Sequence, residues 1–243
     1  MTEERSMTVT EHLEELRRVL IVCLAAWFVT TGIAFIFHTQ LLELLLRPLN
    51  TALQGRNTLV HTAIFTSPFE GFSIPLKISA VGGIILALPI VIWQVWTFVS
   101  PGLRPQERKF VGPFVLSSLL LFAAGAAFAY FVMPIGLSFL IGFLGSDVQF
   151  FPDINQYLDF FMLLIVIFGV TFELPVVIVL LGALRIVTSK WLKARRKGAW
   201  VIIILAAILI TPGADPFTPT ALAIPLLIFF ELSILVVDKV LRR

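Results

Sequence analysis

Charge is what this chain has least of. Asp, Glu, Lys and Arg make up 14% of its 243 residues, about half the share of a soluble domain. A large solvated surface is therefore excluded, and with it a separate soluble catalytic domain. The single cysteine, Cys23, rules out an internal disulfide and lies in an apolar run, away from any other thiol ligand. His12, His38 and His61 are scattered, with no metal-ligand spacing. There is no Gly-rich phosphate loop and no nucleophile elbow. No catalytic residue, metal or cofactor is expected, no nucleic-acid partner is indicated, and work done here is not driven by nucleotide hydrolysis within the chain.

What the chain has instead is hydrocarbon. Hydrophobic residues make up 58% and mean hydropathy is +0.99, which marks a polytopic membrane protein. The expected fold is all-α, one domain over residues 1–243 with six membrane-spanning helices at about 19–37, 76–99, 110–133, 160–184, 199–212 and 219–237. The first run is too long for a signal-peptide core, so it reads as a retained span. Ahead of it, Thr8-Val9-Thr10-Glu11 has the form of a capping box that starts a helix near Val9. Leu13, Leu16 and Leu20 then share one side, giving a surface-lying amphipathic helix that runs into the first span.

Between the first two spans, LLELLLRPL is expected to lie flat in the interface until Pro48 breaks it. NTLVHTAIFTSPFEGF favours extended backbone, with a turn at Ser67-Pro68. Lys77 is placed where its stem can snorkel. Gly125, Ala126 and Ala129 permit close helix approach in the third span, which Pro134 is expected to stop. The last two apolar runs are short for a core of ~30 Å, so their joining turn is expected to sit low or the bilayer to thin. Pro89, Pro175 and Pro225 are expected to kink their spans into a concave wall.

The run over residues 160–184 is ~37 Å long as a helix and carries one acid, Glu173, two residues before Pro175. A carboxylate placed near the midplane costs roughly 3 kcal/mol. Pro175 also leaves the Thr171 carbonyl without its helical donor. Two polar liabilities so close point to a wet or partner-filled concavity, with Gln94 as a second polar group facing it. An interhelical hydrogen bond from a protonated Glu173 is the plainer reading.

Lysine and arginine orient the chain. Fifteen of the eighteen fall on alternate segments that include both termini, among them Arg104, Arg108 and Lys109, and six residues from Arg185 to Lys197. Arg47, Arg56 and Lys77 remain for the other side. The excess of positive charge on cytoplasmic segments then places both termini in the cytoplasm.

At this point the motifs resemble a known family. His12-Leu13-Glu14-Glu15-Leu16-Arg17, Ser67-Pro68-Phe69-Glu70-Gly71-Phe72 and Pro89 through Gln94-Val95-Trp96-Thr97-Phe98 occur in order. Ser100-Pro101-Gly102-Leu103 with Glu107-Arg108-Lys109, Phe168 through Pro175, and Ala223-Ile224-Pro225 complete the set. Over essentially its whole length the chain is similar to TatC, the polytopic subunit of the bacterial twin-arginine protein translocase.

The resemblance implies a multi-pass protein of the bacterial inner membrane, exporting folded proteins by the proton-motive force. It implies a receptor for signal peptides with paired arginines, assembled with small single-span TatA/TatB-type subunits and, in the receptor complex, with further copies of itself. Membrane lipid is the remaining partner. The receptor residues implied are Glu15, Leu16, Arg17, Phe98, Glu107 and Arg108. Carboxylates suit the task because a guanidinium fork pairs bidentately with them. Arg17 would orient an acid or meet lipid phosphate, and Phe98 would supply apolar footing. Glu14 is read instead as an i,i+4 partner of Arg18. Glu173 and Gln94 would form an intramembrane polar or docking site, and Pro48, Pro68, Glu70 and Asp215 outer-loop structural or partner contacts. In the last outer loop Thr218-Pro219 stands where relatives often carry Ser-Gln.

Two other classes compete. A proton-coupled small-molecule transporter using Glu173 would carry an internal repeat, and none is visible between residues 1–120 and 121–243. An integral-membrane enzyme would need converging His, Asp or Ser near the spans, which the scattered histidines oppose.

Overall fold

A chain with this little charge satisfies its backbone internally, and in a bilayer the helix is the way to do so within one segment. The computed structural model describes residues 9–53, 64, 66–99, 111–142, 151–211 and 215–239. These form α1 (Val9–Ile36), α2 (His38–Leu53), α3 (Glu70–Val99), α4 (Val111–Gly142), α5 (Ile154–Thr171), α6 (Leu174–Ala183), α7 (Ser189–Ala194), α8 (Arg196–Ile210) and α9 (Phe217–Lys239). Among the described residues the only β pairing is a bridge between Ile64 and Asp153.

Five helical stretches among the described residues are long and apolar enough to cross a membrane: α1, α3, α4, the α5–α6 pair and α9. The 15 residues of α8 make ~22 Å, short of a ~30 Å core. At 23 residues α9 is longer than its sequence run, because Phe217 and Thr218 join its first turn and Asp238 and Lys239 its last. Residues 212–214, in the turn expected to sit low, lie outside the described residues, as does Arg56.

Two proline expectations fail: neither Pro48 nor Pro134 ends its helix, and at Pro48 a neighbouring hydroxyl takes the freed carbonyl. Pro48 does not break α2, which continues to Leu53. The Leu44 carbonyl that Pro48 leaves free accepts the Tyr130 hydroxyl at 3.1 Å, and the next carbonyl, Leu45, accepts Tyr157 at 2.7 Å. Pro134 does not stop α4, whose extension packs Gly136 and Phe139 against Phe217 of α9. Pro89 and Pro225 sit inside unbroken helices. Only at Pro175 is there an interruption, where α5 ends at Thr171 and Pro175 occupies the first turn of α6, a position that needs no N–H.

The helices pack as antiparallel neighbours. α1 lies along α3, with Trp27 Nε1 donating to the Ala80 carbonyl at 2.9 Å and the Thr30 hydroxyl to that of Gly83 at 2.7 Å. α4 lies along α5 at Gly125 and Gly169, where a Cβ on either would run into the Phe168 carbonyl or the Phe122 ring. Leu49 of α2, Ile78 of α3, Leu158, Phe161 and Phe168 of α5 and Leu222, Ile234 and Val237 of α9 are among the innermost side chains, and one core runs through these helices. α1 contributes little to it and leaves Leu20, Leu24, Phe28 and Ile36 exposed along its length, as a lipid-facing helix does.

Candidate receptor site at the α1–α3 end

The amphipathic stretch and the first apolar run are one helix, so α1 carries Glu15 without a break into the body of the protein. α3 runs the other way and ends at Val99, which brings Phe98 beside the first turns of α1. The contact is made through His12, whose ring stacks on Phe98 with centroids 4.3 Å apart and planes 16° apart. His12 Nδ1 lies 3.7 Å from Glu15 Oε2, and the Glu15 side chain is 21% exposed. That oxygen is out of solvent and has no hydrogen-bond partner among the described residues. A carboxylate oxygen left so is a vacant acceptor for a cation.

The other expected residues divide. Leu16 and Arg17 are exposed on the α1 surface, beside Glu15. Glu14 and Arg18 are also exposed and form no ion pair with each other, so the i,i+4 pairing expected for Glu14 is not made. Glu107 and Arg108 lie outside the described residues.

Glu173 sits at the break between α5 and α6. Its carboxyl lies near the Ser118 side chain of α4, and Oε1 is buried and unpartnered. The helical pair spans Ile154–Ala183, 30 residues, so Glu173 is the twentieth, displaced from the centre toward the α6 end but still closer to the centre. The displacement arises because α5 starts at its Asp153 cap, six residues before the apolar run. Gln94 is half-buried on α3 and makes no hydrogen bond to Glu173.

At the opposite end, side chains are spent on backbone. Glu70 is buried and accepts the Thr66 N–H at 3.1 Å and its hydroxyl at 2.8 Å, closing the start of α3 just after the turn at Pro68. Asp215 accepts the Thr218 N–H at 2.7 Å and caps α9. Asp153 accepts the Gln156 N–H at 2.9 Å and the Thr66 hydroxyl at 2.7 Å. The Gln156 N–H first, and then the Thr66 hydroxyl, hold the Asp153 carboxyl below the usual range. Asp153 was legible as an acid just before an apolar run. Lys77 does not simply snorkel, since its ammonium binds Asp159 at 2.7 Å and Asn155 at 2.9 Å. A concavity of about 700 Å³ lies here, bounded by Leu49, Thr66, Asp153, Tyr157 and Asp215, and neither Glu173 nor Gln94 lines it.

The basic segment after α6 is tied down. Arg185 has φ 61°, Lys193 pairs with Asp238 at 2.9 Å, and Arg196 with Glu231 at 2.8 Å. Trp200 also donates to Glu231, at 3.1 Å.

Comparison with known proteins agrees with this geometry along the chain. The sequence profile of TatC, the Sec-independent protein translocase protein, matches residues 11–225. A Sec-independent protein translocase protein TatC of Carboxydothermus hydrogenoformans is 39% identical over 235 residues, covering 96% of this chain and 94% of that one. The TatC of Aquifex aeolicus is 37% identical over 231 residues, 94% of this chain and 93% of its own. A crystal structure described as the twin-arginine translocase receptor TatC superposes with a TM-score of 0.80 at 36% identity, covering 96% of this chain and 100% of that one. With a profile, curated relatives and a solved structure all agreeing over nearly its whole length, the chain belongs to the TatC family of Sec-independent protein translocase proteins.

Proposed function

We propose that this protein is the signal-peptide receptor and core subunit of a twin-arginine translocase, taking folded cargo across the bacterial inner membrane at the expense of the proton-motive force. The observation that carries the receptor reading is the Glu15 carboxylate, half-buried beside His12 and Phe98, with one oxygen out of water and unpaired. A guanidinium can fill that vacancy with charge-assisted hydrogen bonds, and Leu16 and Phe98 give the flanking residues of a peptide apolar footing. Glu107 and Arg108, which follow α3 in sequence by fewer than ten residues, enter this reading through the family motif alone. Glu107 is assigned the second arginine.

In this reading α8 is the sixth span, paired with α9 through Glu231, and both termini are cytoplasmic, a placement the distribution of lysine and arginine supports. Further copies of this chain, and small single-span subunits with a polar residue in their helix, complete the assembly. Glu173, with one oxygen buried and unpaired, is the docking point for such a residue. A proton-coupled transporter would use the same acid, but it has no internal repeat to support it.

The test is binding of a twin-arginine peptide and a twin-lysine peptide to the protein in nanodiscs. The arginine peptide is expected to bind and the lysine peptide to fail. Glu15→Ala and Glu107→Ala are each expected to weaken the arginine peptide about ten- to a hundredfold, the equivalent of ~1.5–3 kcal/mol for a charge-assisted pair. Equal binding of both peptides, or undiminished binding in both variants, would overturn the assignment.

A further inference from the structure

His12 and Glu15 are one turn apart on α1, and Phe98 meets them from α3. The imidazole lies flat on the Phe98 ring, which leaves its Nδ1 edge turned to Glu15 Oε2 at 3.7 Å. That separation is too long for a hydrogen bond. The ring therefore stands close enough to shield the carboxylate oxygen from water without satisfying it. A glutamate held this way has lost rotamer freedom before any ligand arrives, and a ligand then has less ordering to impose.

We infer that His12 is a positioning residue for Glu15: braced on Phe98, its ring holds the carboxylate ready for a substrate arginine and competes for it when protonated. The inference rests on the receptor reading above and names the regulation of that same site. Two cations have a claim on Oε2, the guanidinium of the peptide and the imidazolium of His12. His12 is half-exposed, and histidine is the side chain type whose charge changes within the physiological range. In the neutral state Oε2 is vacant and the arginine takes it. In the charged state an intramolecular ion pair must first be broken.

Among the described residues the charged side chain that meets the ring is Glu15, from α1 itself. Across from it α3 presents Phe98 and, one turn back, Gln94, neither of which titrates. The connection bearing Arg104, Glu107, Arg108 and Lys109 lies outside the described residues.

The experiment measures affinity for a twin-arginine peptide between pH 5.5 and 8 on the full chain in nanodiscs, in four forms: wild type, His12→Phe, His12→Ala and Glu15→Ala. The wild type is expected to bind more weakly at pH 5.5 than at 7.5. His12→Phe keeps the ring stack without the charge and is expected to bind at the wild-type pH 7.5 level, flat across the range. His12→Ala loses the brace and is expected to bind about two- to tenfold more weakly at every pH, the cost of ordering one freed side chain on binding. Because His12 is half-exposed, these substitutions leave the core intact, and the pH profile is a readout that loss of packing alone does not move. If His12→Phe keeps the wild-type profile, or His12→Ala binds like the wild type, the inference is overturned. Loss of binding in Glu15→Ala alongside such a result leaves the receptor reading standing. Full binding in Glu15→Ala removes that reading and this one with it.

Discussion

The tie between α2 and the body of the protein makes a sharp energetic prediction at Tyr130 and Pro48. Pro48 has no N–H, so the Leu44 carbonyl has lost its helical donor and takes the Tyr130 hydroxyl instead, at 3.1 Å. Tyr130→Phe removes that donor and keeps the ring. An acceptor stranded in this way costs ~1–3 kcal/mol. The bond is long and partly exposed, which places the expected loss at the low end, about 1 kcal/mol. The same change in a Pro48→Ala background is expected to cost close to nothing, since the substituted residue supplies the missing N–H to Leu44. The coupling between the two substitutions is therefore about 1 kcal/mol. Tyr157→Phe is the control. Its buried hydroxyl reaches Leu45, whose helical donor is Leu49 and not residue 48, so its cost of about 1 kcal/mol is expected to persist in both backgrounds. The assay is unfolding in detergent, read by loss of helical signal and of tryptophan fluorescence across the four-member cycle for each tyrosine. A Tyr130→Phe cost that is the same in the wild-type and Pro48→Ala backgrounds would refute the reasoning, because the proline would then have no part in the bond.

Gly125→Ala places a Cβ against the Phe168 carbonyl and is expected to cost about 1–3 kcal/mol by forcing α4 off α5, measured in the same unfolding assay against the Gly112→Ala control, where space is open. Asp153 has its carboxyl held below the usual range, so it stabilises the folded state at neutral pH and that contribution is lost as pH falls through the folded-state value. Asp153→Asn, which caps nearly as well, is expected to match the wild type at pH 7 and to lose less stability than it on acidification to pH 3. At Glu173, docking predicts that Glu173→Gln retains export of a folded twin-arginine substrate while Glu173→Leu loses both export and recovery of the small subunits; export blocked by Gln with recovery intact would identify a titrating role instead.

The helical membrane class and the order of its spans were written in the amino-acid pattern, because both follow from local quantities. Apolar runs set the type of the elements and where the long ones lie. That Glu15 and Phe98 come to the same end of the molecule was also legible, since each flanks a span on the same side. What proline does was not. Pro48 and Pro134 each look like a stop, yet whether a freed carbonyl ends a helix depends on what stands opposite it. At Leu44 that is a hydroxyl 86 residues away, which no local window contains. Lys77 likewise resembled a snorkelling cation until α5 brought Asp159 and Asn155 within 3 Å of it. The same holds at the candidate site. A histidine among acids on one helix carries no sign of a special role, and His12 acquires one only because α3 returns antiparallel and lays Phe98 on its ring. Elements follow from short-range periodicity, whereas the satisfaction of buried polar groups is decided between helices, and only the packed structure determines it.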